Sequence, residues 1–188
     1  MIFTDIASLA PSESELRSRL GTKPEGALAD VVNRWTDEVR KTSECRYCFR
    51  KVEVQQSDCG VNLGFGVLPS RNLSIFLAKT TSAYVMAVTL GIGIDRLLRR
   101  TSVGSATDQF VLDAVSSAFV EALCDRIQQT FPGAGKARYS PGYGDLPLSC
   151  QKPLLSFLQA DREAGITLTE NDLMVPTKSV TAIVKVQS

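Results

Sequence analysis

Ala83-Tyr84-Val85-Met86-Ala87-Val88-Thr89-Leu90 is almost continuously apolar and partly β-branched. A strand with one wet face alternates apolar and polar residues. This run does not alternate, so it reads as a strand buried within a sheet. It leads into Gly91-Ile92-Gly93-Ile94-Asp95-Arg96, a glycine turn followed by a short helix to about Arg100, with Leu97 and Leu98 inward. Strand, glycine turn and helix is how a dinucleotide-binding unit begins, but Arg96 stands where the third glycine of GxGxxG belongs. The plainer reading is a tight strand-to-helix turn, with Asp95 favourable in the first helical turn.

Toward the N-terminus, Ser12-Glu13-Ser14-Glu15 resembles a capping box, opening a short helix that ends near Leu20 with Gly21 as its left-handed cap. Pro24 to Ser43 reads as a second helix with Leu28, Val31, Val32, Trp35 and Val39 on one face. Asp30, Arg34, Asp37 and Lys41 take the solvated face. Arg46 to Gln55 reads as a strand, Gly60 to Pro69 as a short strand or loop, and Ser70 caps a short helix with Leu73, Phe76 and Leu77 inward.

Toward the C-terminus, the longest helix spans about Thr107 to Gln129, and Phe110, Val111, Ala114, Val115, Ala118 and Ala122 mark its packed stripe. It carries Asp108, Asp113, Glu121 and Asp125; Glu121 falls near the stripe, where a buried carboxylate needs a partner. Phe131 to Gly135 ends this helix, and another follows from about Gln151 to Ala160 with Ser149 as a possible cap. Thr169 to Asp172 forms a turn, and Ser179 to Val186 is a final strand. The order of elements is mixed and shows no repeat. It predicts an α+β fold: a single domain over 1–188 with a mixed or antiparallel twisted sheet flanked by helices, divisible into an N-terminal part to residue 80 and a core from 81.

Composition excludes several functions. The 188 residues carry a net charge of +1, which leaves no basic field for nucleic acid or an anionic membrane. No apolar run approaches the ~18 residues of a membrane span, and no leader is visible, so a cytoplasmic protein is expected. Histidine is absent, which removes imidazole triads, Cys-His pairs and HExxH metal sites. The five cysteines include Cys45-Arg46-Tyr47-Cys48. In a strand, residues three apart point to opposite faces, so this pair reads as structural before redox or metal-binding, and no metal site is expected.

Arg138-Tyr139-Ser140-Pro141-Gly142-Tyr143-Gly144-Asp145-Leu146-Pro147 gathers a fixed cation, aromatics and a carboxylate. Pro141-Gly142 suits the central positions of a type II turn, proline setting the first dihedral and glycine the positive second one. Beside it, the planar fork of Arg138 suits a carboxylate or phosphate. The segment reads either as a ligand-binding loop or as a surface turn with a solvated arginine.

Four blocks in order carry a resemblance: Met86 to Asp95, Ala118 to Arg126, Arg138 to Tyr143, and the stretch holding Leu168-Thr169-Glu170, Met174-Val175-Pro176 and Ser179-Val180. Together, over roughly residues 80–185, they resemble the reactivation domain of cobalamin-dependent methionine synthase. The N-terminal part is more similar to small stand-alone relatives of that domain. The resemblance implies an S-adenosylmethionine-binding module, not a complete enzyme alone. It would assist reductive methylation of cobalamin carried by a separate corrinoid-binding methyltransferase subunit, with a flavodoxin-like reductant as a further partner. It places Arg138 at the methionyl end of S-adenosylmethionine, Ser140 and Gly142 as backbone contacts, and Tyr143 flanking the pocket. Glu121 is the candidate partner for the ligand's amino group, because the family's glutamate falls one turn earlier, where this chain has Ser117. The family's C-terminal tyrosine has no counterpart before Ser188. The alternative is a corrinoid-protein docking module that has lost S-adenosylmethionine binding.

Overall fold

The computed structural model describes residues 1–187. α1 (Glu13–Leu20) begins at Ser12, whose hydroxyl accepts from the Glu15 N–H, and ends at left-handed Gly21. α2 (Ala27–Thr42) starts three residues after Pro24, following Gly26 at φ +54°. β1 (Arg46–Glu53) leads through a small sheet of β2 (Gln55–Ser57), β3 (Gly60–Asn62) and β4 (Val67–Leu68) to α3 (Arg71–Phe76). The buried run forms β5 (Ser82–Thr89), followed by α4 (Ile92–Thr101) and α5 (Ala106–Gln128). β6 (Ala134–Tyr139), α6 (Gln151–Leu158), α7 (Ala160–Glu163), the short pair β7 (Thr167–Leu168) and β8 (Met174–Val175), and β9 (Ser179–Val186) complete the chain.

The main sheet has the order β1-β5-β9-β6, and every neighbour is antiparallel. β5 therefore lies inside the sheet, as its unbroken apolar run requires. Its two faces feed separate cores. Tyr84, Met86 and Val88 join Val39, Ile94, Val115 and Phe119 under α2, α4 and α5. Ala83, Val85 and Ala87 join Val61, Leu68, Leu73, Leu154 and Leu158 under the small sheet, α3 and α6. The period-two alternation of an extended chain thus produces two apolar layers from one strand. Full burial of a valine or methionine stabilises by roughly 1.5–3 kcal/mol, which makes this strand the mechanical centre of the fold.

The same alternation explains the cysteines. Cys45 packs in the first core and Cys48 in the second, so the CxxC straddles the sheet. Burial pushes Cys45 up to about 12 and Cys48 up to about 11, and both are thiols at neutral pH. No group of three or more potential metal-ligating side chains occurs among the described residues.

Gly91 and Gly93 have a steric purpose. A Cβ on Gly93 would lie 2.7 Å from the Thr42 carbonyl oxygen, and one on Gly91 would lie 2.9 Å from that of Glu44. The glycines let the start of α4 press on the end of α2, and Asp95 secures α4 by accepting from the Thr177 N–H at 3.0 Å. A strand-to-helix turn is what the segment is.

Three local expectations are corrected. Phe110 is 53% exposed and lies off the packed stripe of α5. The expected helix from Gln151 to Ala160 breaks at left-handed Gln159 and resumes as α7. Ser149 sits within a 3-10 turn before α6 and makes no cap. No helix among the described residues is long and apolar enough to cross a membrane.

Candidate functional site

Arg138 lies on β6, the edge strand, and not in the loop its flanking turn residues suggest. Strand alternation sends its side chain to the α5 side of the sheet, while Tyr139 packs in the second core. The guanidinium is mostly enclosed, its side chain 17% exposed. One nitrogen donates to Glu121 Oε2 at 2.7 Å; the other donates to Asp125 and to Gln128 Oε1, the latter at 3.0 Å. Burial opposes the cation's charge, but Cys124, Asp125 and Glu121 outweigh it and raise the Arg138 pKa above its ordinary value.

The three acceptors follow from helix geometry. Glu121, Asp125 and Gln128 are spaced by four and three residues and so share one face of α5. Gln128 is clamped in turn, its amide nitrogen donating to the Gly135 carbonyl. Sequence reasoning missed Gln128, although the 121–125–128 spacing was there to read.

Arg138 and Glu121 line one cleft of about 310 Å3, closed on its far side by the segment leading into α1. Ser8 and Ser12 come from that segment and Glu15 from the first turn of α1; Asp125 and Arg126 come from α5. Arg19 of α1 bonds Glu15 at 2.7 Å and stands 3.8 Å from Glu121 Oε1. Glu121 is therefore held between two arginines from opposite ends of the chain. Arg19 was not legible as a site residue, because nothing in the sequence says that α1 packs on α5.

The remaining expected residues form the turn at the end of β6. The Tyr143 N–H donates to the Ser140 carbonyl at 3.1 Å, and Gly142 has φ +87°, as a Pro-Gly type II turn requires. Tyr143 is 70% exposed, and its carbonyl accepts from the Tyr139 hydroxyl at 3.2 Å. Asp145 anchors the turn from behind by accepting from the Ser70 hydroxyl and from the Arg71 N–H at 2.8 Å. The Ser70 hydroxyl hydrogen bond, then the two backbone donors, hold its carboxyl below the ordinary 3.8. Ser140, Gly142 and Tyr143 thus stand beyond the strand end, outside the cleft that holds Arg138 and Glu121.

Ser117 is also engaged. Lys178, only 8% exposed, donates to Ser117 Oγ at 2.8 Å and to Asp113 at 2.7 Å. This buried lysine was not singled out in the sequence.

Residues 133–187 match the family described as vitamin B12 dependent methionine synthase, activation domain. The match includes β6, Arg138, the Pro-Gly turn and β9. A solved structure described as the MetH reactivation domain bound to AdoHcy superposes with a TM-score of 0.66 at 13% identity, covering 97% of this chain and 71% of that one. A search of curated proteins finds no match. The chain is thus similar to the activation domain in sequence over its C-terminal third and shares the fold of the reactivation domain over nearly its whole length.

Proposed function

We propose that this relative of the vitamin B12 dependent methionine synthase activation domain binds S-adenosylmethionine and presents its methyl group to a corrinoid on a separate methyltransferase. The observation that carries the reading is the Arg138–Glu121 pair, 2.7 Å apart on the wall of an open cleft. A free amino acid group carries the same two charges. Its carboxylate replaces Glu121 on the arginine fork, and its ammonium replaces the arginine on Glu121. The exchange conserves charge, so a zwitterion is taken up without leaving either side chain unpaired. Asp125 and Glu15 stand in the same cleft, paired with Arg138 and Arg19 respectively.

The turn at Ser140 to Tyr143 lies just beyond Arg138 on the open edge of the sheet. A ligand anchored at Arg138 extends across that edge, with backbone groups of Ser140 and Gly142 and the exposed ring of Tyr143 as its remaining contacts. The protein's share of the chemistry is orientation and exclusion of water; the corrinoid, bound by the partner, supplies the bond-making metal centre, and a flavodoxin-like protein supplies the electron. The activity requires those partners, so the chain is one component of a methyltransferase system.

Titration calorimetry with S-adenosylmethionine tests this reading. Wild type binds, and Arg138→Ala weakens binding at least roughly tenfold, about 1.4 kcal/mol. A second reading is favoured by one fact: Arg138 already gives three of its five N–H donors to Glu121, Asp125 and Gln128. On that reading the fold is kept as a docking module for the corrinoid protein and the ligand is gone. Capture of the corrinoid protein with equal strength in the presence and absence of ligand, with no calorimetric signal, supports the second reading against the first.

A further inference from the structure

A groove of about 790 Å3 runs between α4 and α5, away from Arg138. Leu98 and Val175 line it together with two apolar side chains open to solvent, Ile92 at 37% exposure and Phe110 at 53%. Single exposed apolar residues need no explanation, but these four converge on one concave surface. Phe110 would be a packed residue if α5 followed its apolar pattern strictly; instead it faces the groove.

The charges around the groove are unequal in their availability. Its two acids are already engaged: Asp95 accepts from the Thr177 backbone, and Asp113 accepts from Lys178. The bases are not. Arg96, Arg99 and Arg100 on α4 have no ion-pair partner among the described residues. The helix dipole favours Arg99 and Arg100 in the last turn of α4, but it does not account for Arg96. Arg99 lines the groove itself, and Arg96 and Arg100 stand four apart on the same helix.

An apolar floor with Arg99 in its wall and Arg96 three residues before it on the same helix calls for an acidic partner with one apolar face. We infer that this groove docks an acidic amphipathic helix of a partner protein. Its apolar residues at i, i+3, i+4 and i+7 pack on Ile92, Leu98 and Phe110, and its carboxylates take the forks of Arg96 and Arg99. This inference does not depend on a ligand at Arg138, because the groove shares no residue with that cleft.

The test uses a fluorescein-labelled synthetic helix of about four turns, leucine on one face and glutamate elsewhere, against the same helix with lysine for glutamate. Polarisation titrations should show the glutamate helix binding at least roughly tenfold tighter, with affinity falling as salt rises. Phe110→Ser and the double change Arg96→Glu/Arg99→Glu should each weaken binding by roughly tenfold while thermal midpoint and S-adenosylmethionine titration stay as in wild type. Amide shift changes should centre on Ile92, Leu98 and Phe110. Equal binding of the two helices, or affinity untouched by both variants, overturns the inference. It is equally overturned by a solution dimer that Phe110→Ser dissociates, or by phosphatidylserine vesicles binding through the arginines where the glutamate helix does not.

Discussion

The Arg138 guanidinium reaches Glu121 Oε2 at 2.7 Å, tying the edge strand of the sheet to the middle of its longest helix. Asp125 and Gln128 complete the set, so β6 is held against α5 by charge-assisted bonds where apolar packing ends. Replacing Arg138 with alanine leaves two carboxylates facing each other. Because Glu121 and Asp125 are partly exposed, the expected cost is modest, about 1–2 kcal/mol by urea denaturation. Glu121→Gln should cost less than that and still reduce ligand affinity.

Acid should loosen the Pro-Gly turn through Asp145. Its folded carboxyl is held below 3.8 by Ser70, Arg71 and Asn72, so the charged form is the bound form. That contribution is fully present above the ordinary carboxylate range and is lost as pH falls through the depressed value. Asp145→Asn should remove the acid-dependent step at this turn. Amide exchange at Gly142 to Leu146, measured from neutral pH down to the acid limb, reads it directly.

Thiol chemistry separates the five cysteines. Cys59 is exposed, while Cys45, Cys48, Cys124 and Cys150 are buried. Burial raises the pKa of each of these four thiols. An aromatic disulfide reagent at neutral pH should titrate Cys59 in the folded protein and the others only after denaturation. Rapid modification of Cys45 or Cys48 in the native state would contradict the packing described.

Gly93→Ala tests the junction of α2 and α4. The added methyl carbon falls 2.7 Å from the Thr42 carbonyl oxygen, which is backbone and cannot swing aside. A loss of roughly 2–3 kcal/mol is expected in chemical denaturation. By contrast Phe110→Ser should be nearly neutral, whereas Phe119→Ala, fully buried, should cost about 3–5 kcal/mol.

These contrasts mark what the sequence could reveal. The unbroken run of β5 announced its place inside the sheet, and the Ser12, Gly21 and Ser70 caps and the Pro141-Gly142 turn were each local chemistry written in adjacent residues. Phe110 was misread because periodicity identifies an apolar position but not whether a neighbour covers it. Arg138 was placed in a loop because its turn-forming neighbours follow it so closely; that the strand runs through Tyr139 depends on pairing with β9, over 40 residues away. Arg19 and Lys178 were silent for the same reason, since their partners Glu121, Asp113 and Ser117 meet them only through tertiary packing.

The central claim is that Arg138 receives the carboxylate of S-adenosylmethionine, and the most direct test compares that ligand with its decarboxylated analogue. Calorimetry on wild type and Arg138→Gln gives four affinities that close a cycle. The account predicts that wild type prefers the carboxylate-bearing ligand by at least roughly tenfold and that Arg138→Gln loses the preference. An equal preference in both proteins, or no binding of either ligand to wild type at millimolar concentration, would contradict it.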